Sequence, residues 1–307
     1  MAKLKKIKVS EIFYSIQGEG KYTGVPSIFL RTFGCNLTCE GFGMPAGEKS
    51  QERFSVEVDE AFGKAESIHD LPLVKTGCDS YASWDVRFKN LSPPQDTNQL
   101  AYALNKKLPF ADDLDNWVPQ TWDGVHLIIT GGEPLLGWQR AYVELLEHPL
   151  LSSLTNITFE TNGTQKLHKD FQDYLLKHKE HRQRGHWAAG SRRVLDINFS
   201  ISPKLSASGE DPAVSIQPDI VASYGELGEV NLKFVCNTEG HIMEALDVVS
   251  RYEDAGLEKH NIWIMPEGGM FDEYKANSTA MAELCMKYKL NYSPRLHVDL
   301  FGNAWAT

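Results

Sequence analysis

An α/β fold is what this sequence predicts, on two observations. β-like apolar runs alternate with amphipathic stretches of helix length, and five of the six runs close on a cluster of glycine or polar residues. Strands alternating with helices make βαβ units and a parallel sheet. The first run, Pro26–Thr32, leads into Gly34-Cys35. The second, Val125–Thr130, ends at Gly131-Gly132-Glu133-Pro134 and precedes a helix predicted over Trp138–Leu145. Asn156–Glu160 leads to Thr161-Asn162-Gly163 and a helix over Lys166–Lys179, and Val194–Ser200 leads to Ser202-Pro203-Lys204. Val230–Cys236 is followed by a helix over Ile242–Ala255. Asn261–Met265 runs into Met265-Pro266-Glu267-Gly268 and a helix over Tyr274–Tyr288. In parallel sheets ligands gather at the carboxyl ends of the strands, where these clusters fall. Two segments interrupt the rhythm: Glu40–Gly77, polar and short of strand signals, and Leu91–Asp123, read as irregular. No internal repeat or low-complexity tract is evident.

Length and charge narrow the function classes. With 307 residues and 42% hydrophobic content the chain can bury a large core, as one large domain or two small ones. A net charge of −10 argues against a general binder of nucleic acid or membrane surfaces, because its long-range field repels phosphates. The basic segment Lys177–Arg193, with Trp187 and histidines interleaved, is read as a solvated helix end and loop. Neither a signal-peptide core nor a run of 18 or more apolar residues occurs, so a cytoplasmic protein is expected.

Five cysteines, an odd number without a secretion signal, favour reduced thiols or metal ligands over a disulfide framework. Cys35 and Cys39 lie in Phe33-Gly34-Cys35-Asn36-Leu37-Thr38-Cys39, and 38 residues separate Cys39 from Cys78, which opens Cys78-Asp79-Ser80. Thiolates are the soft ligands that iron–sulfur clusters and zinc select. Three of them leave one metal position open, and an open position is where chemistry can occur. From spacing alone, a zinc site completed by His69 or another histidine stands level with a cluster. Cys236 and Cys285 have no partner spacing and read as ordinary thiols.

Taken together the motifs resemble one family. Glu11-Ile12-Phe13-Tyr14-Ser15-Ile16-Gln17-Gly18-Glu19-Gly20, then Thr23–Arg31, then Gly34-Cys35-Asn36-Leu37 resemble the opening of the 7-carboxy-7-deazaguanine synthases, of the radical S-adenosylmethionine superfamily. Cys78-Asp79-Ser80, Gly131-Gly132-Glu133-Pro134, Glu160-Thr161-Asn162-Gly163-Thr164 and Ser202-Pro203-Lys204 follow in the family's order. The resemblance implies a partial (βα) barrel forming one domain over residues 1–307, with the segment 40–77 inserted between the second and third cluster cysteines and 91–123 irregular. It implies a lyase that converts 6-carboxy-5,6,7,8-tetrahydropterin to 7-carboxy-7-deazaguanine with loss of ammonia, on the route to 7-deazapurine (queuosine-type) nucleosides. Cys35, Cys39 and Cys78 would hold a 4Fe-4S cluster whose free iron is chelated by S-adenosylmethionine. The 5′-deoxyadenosyl radical formed on reduction takes hydrogen from the pterin C6, while the protein binds, orients and excludes water. No side chain is assigned a catalytic role.

The family's positions carry further assignments. Cys78, Asp79, Gly132, Glu133, Asn162, Ser202, Pro203, Lys204, Met265, Pro266, Glu267 and Gly268 would form the S-adenosylmethionine site. Ile16, Gln17, Gly18, Glu19, Arg31, Thr130 and His297 would face the pterin, with Arg31 clamping its carboxylate and the Gln17 loop reading its 2-amino-4-oxo edge. Ser80 stands where the family has threonine and would offer its hydroxyl to Mg2+. A homodimer and an electron donor such as flavodoxin are implied as well. A structural ion pair for Arg31 and a plain turn hydroxyl for Ser80 stay open, and Gly131 and Gly132 suit either a turn or a ligand's close approach.

Glu40–Gly77 parts two cysteines that stand close together in the commonest family pattern. Closing a loop of that length in place of a short one costs only about 2 to 3 kcal/mol. Gly41–Lys75 is therefore expected to pack outside the cluster site as a lid or contact surface, returning Cys78 beside Cys39. Two other classes remain: a radical S-adenosylmethionine activase acting on a protein, and a non-catalytic zinc-binding module.

Overall fold

Polar residues at every second position of the strands decide the architecture. In the computed structural model, which describes residues 4–109, 121–183 and 194–307, nine strands form one sheet. They are β1 (Lys6–Ile16), β2 (Pro26–Thr32), β3 (Pro94–Asp96), β4 (His126–Gly131), β5 (Asn156–Thr161), β6 (Asp196–Ile201), β7 (Glu229–Cys236), β8 (His260–Pro266) and β9 (Asn291–Tyr292). Their order is β3-β1-β2-β4-β5-β6-β7-β8-β9, with β1 antiparallel to both neighbours and every pair from β2 to β9 parallel. The helices are α1 (Val56–Phe62), α2 (Thr97–Asn105), α3 (Gln139–Leu146), α4 (Lys169–Gln183), α5 (Pro212–Ser215), α6 (Pro218–Gly225), α7 (Glu239–Asp254), α8 (Phe271–Tyr288) and α9 (Leu296–Phe301). No helix among the described residues is long and apolar enough to cross a membrane.

All six expected runs are parallel strands, each within two residues of its predicted bounds. Two of the elements that were not expected lie in segments already discussed. The opening motif is an 11-residue antiparallel strand whose burial alternates from Ile7 to Phe13. Inside the segment read as irregular lies α2, started by a capping box: Gln99 N donates to Asp96 Oδ1 at 2.9 Å and Asp96 N donates to Gln99 Oε1 at 3.0 Å. Residues 110–120 of that segment, and 184–193 of the basic stretch with Trp187, lie outside the described residues.

Successive side chains of a strand point to opposite faces. On β7, Val230, Leu232, Phe234 and Cys236 face the helices and join the main core. Phe159 stands at the centre of that core, its ring centroid 5.9 Å from Tyr142, 5.7 Å from Phe171 and 5.7 Å from Phe199. The alternate positions face the inside of the curl. There a buried polar ladder crosses β4 to β8: His126 Nε2 and Asn198 Nδ2 lie 2.9 and 3.1 Å from Thr158 Oγ1, Asn231 Nδ2 donates to Asn198 Oδ1 at 2.5 Å, and Asn261 Nδ2 donates to Asn231 Oδ1 at 2.9 Å. Toward the carboxyl ends Phe13 stacks on Phe29 at 4.7 Å beside Ile128, and beyond them the inward positions become charged. Glu19, just past β1, pairs with Lys233 on β7 although four strands lie between them in the sheet order. The sheet therefore curls into a partial barrel, open between β3 and β9.

The 40–77 segment packs across the carboxyl ends of the strands, where Phe42, Gly43, Leu73, Lys75 and Thr76 line a cavity beside the cysteines, so part of the segment expected to lie outside the site forms one of its walls. Val58, Ile68, Leu71 and Val74 make a small core with Tyr81, Ala82 and Phe88, and Trp305 of the tail joins it while donating to Leu71 O at 2.8 Å. Its neck is closed by Gly77 N donating to Phe42 O at 2.7 Å, which returns Cys78 to the neighbourhood of Cys39.

Burial in the ladder pushes the pKa of His126 down to about 4. Between that value and the ordinary 6.5 the unfolded chain takes up a proton that the fold refuses, so stability falls as pH falls through this window, by at most about 3 kcal/mol from this group. His126→Gln cannot titrate. Urea unfolding at stepped pH should give the variant a flatter stability curve between pH 6.5 and 4, and an unchanged slope would show that His126 protonates within the fold.

Candidate active site

The cavity at the carboxyl ends of the parallel strands begins with the loop after β2. Its volume is about 660 Å³, in the range of small-molecule and cofactor sites, and Cys35, Cys39 and Cys78 all line it. The loop is held from several sides. Gly34 N donates to Ser83 O at 2.8 Å, and Glu133 N donates to Gly34 O at 2.7 Å. The Glu210 carboxylate accepts from Thr38 N at 2.7 Å and Cys39 N at 2.6 Å, fixing Cys39 in a left-handed conformation at φ 50°. A Cβ on Gly132 would stand 2.5 Å from Gly34 O and 2.9 Å from Cys35 Cβ, so the missing side chain makes room for the cysteine loop while the backbone of Gly132 lines the cavity.

All five cysteines are free. Burial raises the pKa of Cys35 to about 12, that of Cys39 well above the ordinary value, and that of Cys78 as well. Lys204 is the cation that opposes this at all three sulfurs. N–H groups also point at the sulfurs: Leu37 N lies 3.4 Å from Cys35 Sγ and Trp84 Nε1 lies 3.2 Å from Cys78 Sγ. Buried thiols ringed by donors and a cation fit a group that binds them as thiolates. Among the described residues no three His, Cys, Asp or Glu side chains converge on the geometry of a single metal ion. His69, considered above as a zinc ligand, is engaged elsewhere, its Nε2 lying 2.9 Å from Glu11 Oε2. The zinc alternative thus loses the one fourth ligand named for it, while sulfurs that reach separate corners of a cluster would need no such convergence.

Adjoining the thiols is a buried ionic network. Lys233 Nζ lies 2.5 Å from Glu19 Oε2 and 2.9 Å from Glu160 Oε2. Arg295 Nε lies 3.3 Å from Glu19 Oε1, and its Nη2 lies 2.7 Å from Asp79 Oδ2, next to Cys78. Arg295 Nη1 also donates to Gly268 O, and Gln17 Nε2 donates to Glu160 Oε1 at 3.0 Å. Burial alone would raise the pKa of Glu19, but Lys233 and Arg295 overcome it and hold the carboxyl far below its usual range. Burial would likewise discharge Lys233, and Glu160 with Glu19 keeps it charged. His297 is pushed down to about 4 by burial, with Arg295 adding to the effect, so it is neutral at pH 7.

Most residues singled out from sequence meet in this one cavity. Ile16, Gln17, Gly18, Glu19, Arg31, Thr130 and His297 line it, as do Asp79, Ser80, Gly132, Asn162, Ser202, Lys204, Met265, Pro266, Glu267 and Gly268. Two do not. Pro203 is absent from the lining, and Glu133 lies fully buried behind it, accepting from Leu135 N at 3.0 Å, Thr161 Oγ1 at 2.8 Å and Asn162 N at 2.7 Å. Glu133 thus joins the ends of β4 and β5 rather than facing a ligand. The structural pair held open for Arg31 is present, with Nε 2.5 Å from Glu11 Oε1 and Nη1 donating to Ser80 Oγ at 3.4 Å. Gln17 and Glu19 are engaged within the network, and Glu267 accepts from Gly43 N at 2.7 Å and from Asn237 Nδ2.

No family model matches the chain. A 7-carboxy-7-deazaguanine synthase from Halobacterium salinarum is 27% identical over 317 residues, covering 97% of this chain and 91% of that protein. One from Hyperthermus butylicus is 26% identical over 295 residues, covering 95% and 92%. A synthase from Bacteroides thetaiotaomicron shares 62% identity over a stretch of 32 residues, 10% of this chain and 18% of its own. Over nearly its whole length, this chain is similar to 7-carboxy-7-deazaguanine synthases. A crystal structure of QueE from Escherichia coli shares the fold, with a TM-score of 0.52 at 15% identity over 94% of this chain and 93% of that one.

Within this cavity, Lys233, Glu160 and Arg295 are charged residues to which the sequence analysis gave no role. A signal was available: Lys233 interrupts the apolar run of β7 at an inward position, and Glu160 and Thr130 repeat the pattern on β5 and β4. Gly18 has a reason as well. Leu296 N donates to Gly18 O at 2.9 Å, and a Cβ on Gly18 would stand 2.1 Å from His297 Nδ1. Removing Lys233 leaves two buried carboxylates with one partner fewer, which costs about 3 to 5 kcal/mol. Denaturant unfolding of Lys233→Met should show a loss of that order, with much of it recovered in Lys233→Met/Glu160→Gln, whereas a stable single variant would mean that the network is solvated.

Proposed function

We propose that the chain is a radical S-adenosylmethionine lyase that converts 6-carboxy-5,6,7,8-tetrahydropterin to 7-carboxy-7-deazaguanine with loss of ammonia. One observation carries the reading: the thiols of Cys35, Cys39 and Cys78 share a cavity with the buried charges of the opening motif. In the proposal the three thiolates hold a 4Fe-4S cluster, which with S-adenosylmethionine supplies the radical that abstracts hydrogen. The protein's own part is to bind, orient and keep water out. Gly132, Asn162, Ser202, Lys204 and the Met265–Gly268 turn are assigned to S-adenosylmethionine. The loop of Ile16–Glu19, with Thr130 and neutral His297, is assigned to the pterin ring. Arg31 offers the substrate carboxylate the N–H groups that Glu11 and Ser80 leave unused.

Lys233 keeps Glu19 and Glu160 charged and fixed, and this fixes the loop that reads the ring. Preorganised polar groups of this kind orient a substrate without rearranging when it binds. An external one-electron donor of flavodoxin type, a homodimer and a cytoplasmic location complete the proposal by family resemblance. Anaerobic incubation with reductant, S-adenosylmethionine and the carboxylated pterin, followed by mass analysis, tests it: the deazaguanine should form, and unconverted pterin from an iron-loaded protein would refute it.

Alanine at Cys35, Cys39 or Cys78 should abolish normal iron content and turnover, and alanine at Cys236 or Cys285 should leave iron unchanged. A fully loaded Cys78→Ala protein would remove that cysteine from the site. For magnesium the proposal rests on the Ser80 hydroxyl, which lies 3.3 Å from Asp79 Oδ1 at the cavity wall. Ser80→Ala should raise the Mg2+ concentration for half-maximal activity several-fold and Ser80→Thr should not. Activity indifferent to both changes and to chelator would place no metal at Ser80.

A further inference from the structure

The pieces of chain that carry Cys39 and Cys78 are separated by 38 residues, so their covalent tie is weak. One side chain in the inserted segment grips both. Arg53 Nη2 lies 2.5 Å from an oxygen of Glu40, the residue after Cys39, and Nη1 lies 2.6 Å from Asp85, the residue after Trp84. The guanidinium also lies over Trp84, with Cζ 5.0 Å from the ring centroid. Trp84 in turn places Nε1 3.2 Å from Cys78 Sγ. Arg53 is 15% exposed and Asp85 4%, so the clamp is shielded from solvent. A rigid fork that bridges two carboxylates while stacking on an indole is a geometry arginine has and lysine lacks.

We propose that Arg53 is a positioning residue that ties the Cys39 and Cys78 loops across the insertion and holds Trp84 against Cys78, where the indole N–H raises the reduction potential of a bound cluster. The inference rests on the cluster assignment made above. Reduction adds negative charge to a cluster, and an N–H aimed at a ligand sulfur stabilises that charge. The guanidinium behind the indole acts in the same direction.

The test is anaerobic iron reconstitution of the whole chain and of Trp84→Phe, Arg53→Lys and Arg53→Gln, followed by iron counting, chelator challenge and a redox titration monitored by electron paramagnetic resonance. Trp84→Phe should bind full iron with a more negative midpoint, by about the 59 mV that a tenfold shift in a one-electron equilibrium represents. Both Arg53 variants should lose iron to chelator several-fold faster than the parent, with Arg53→Lys the milder. A parental midpoint in Trp84→Phe overturns the tuning role, and parental chelator resistance in Arg53→Lys overturns the clamp even if Arg53→Gln does not fold. A parent chain that assembles no cluster refutes the functional proposal and this inference together. A loaded parent with unaltered variants refutes the inference alone.

Discussion

The burial of Glu19, Glu160 and Asp79 against Lys233 and Arg295 is the constraint on which the rest of the molecule depends. Charges taken from water must be paired and hydrogen-bonded, and breaking such a pair costs several kcal/mol. These five residues come from five separate places: the end of β1, the end of β5, the middle of β7, the tail and the loop of Cys78. Satisfying them all at once bends the sheet until β1 reaches β7. It also draws the tail over the cavity and sets Asp79, hence Cys78, at the cavity wall.

The cysteine loops are stabilised by a second layer of the same kind. Glu210 holds Cys39 from below and Glu133 joins the ends of β4 and β5 behind Cys35, both through backbone N–H groups rather than through counterions. Burial raises the Glu133 pKa, with its hydrogen bonds from Asn162, Leu135 and Thr161 working against that rise. Such anchoring holds the loops through hydrogen bonds supplied by the protein itself. The inserted segment departs little from this logic: it carries its own small core, closes its neck by Gly77 and Phe42, and meets the rest of the molecule through Arg53, through Trp305, through His69 on Glu11 and through Gly43 on Glu267.

Much of this was legible in the sequence because local rules agreed with the fold. The six parallel strands stood out as apolar runs, and the polar clusters after them marked the cavity rim. β1 was overlooked because its polar and apolar residues alternate, with no continuous run, and α2 because its capping box lay in a segment judged by overall polarity. Whether Glu133 binds or only orients could not be read from the motif, because a motif match cannot say which way a side chain points. Lys233 was legible in principle, as a lone cation in an apolar strand. Its partners Glu19 and Glu160 lie 214 and 73 residues away, and no local pattern connects them.

The central claim is that the three thiols leave one metal corner open toward a cavity whose charges are already fixed. Mössbauer spectroscopy of the protein reconstituted with 57Fe, recorded before and after adding S-adenosylmethionine, tests this most directly. The account predicts that a single iron of the four becomes distinct on addition, as its coordination changes. A spectrum that S-adenosylmethionine leaves unaltered, or iron bound in no cluster at all, would contradict it.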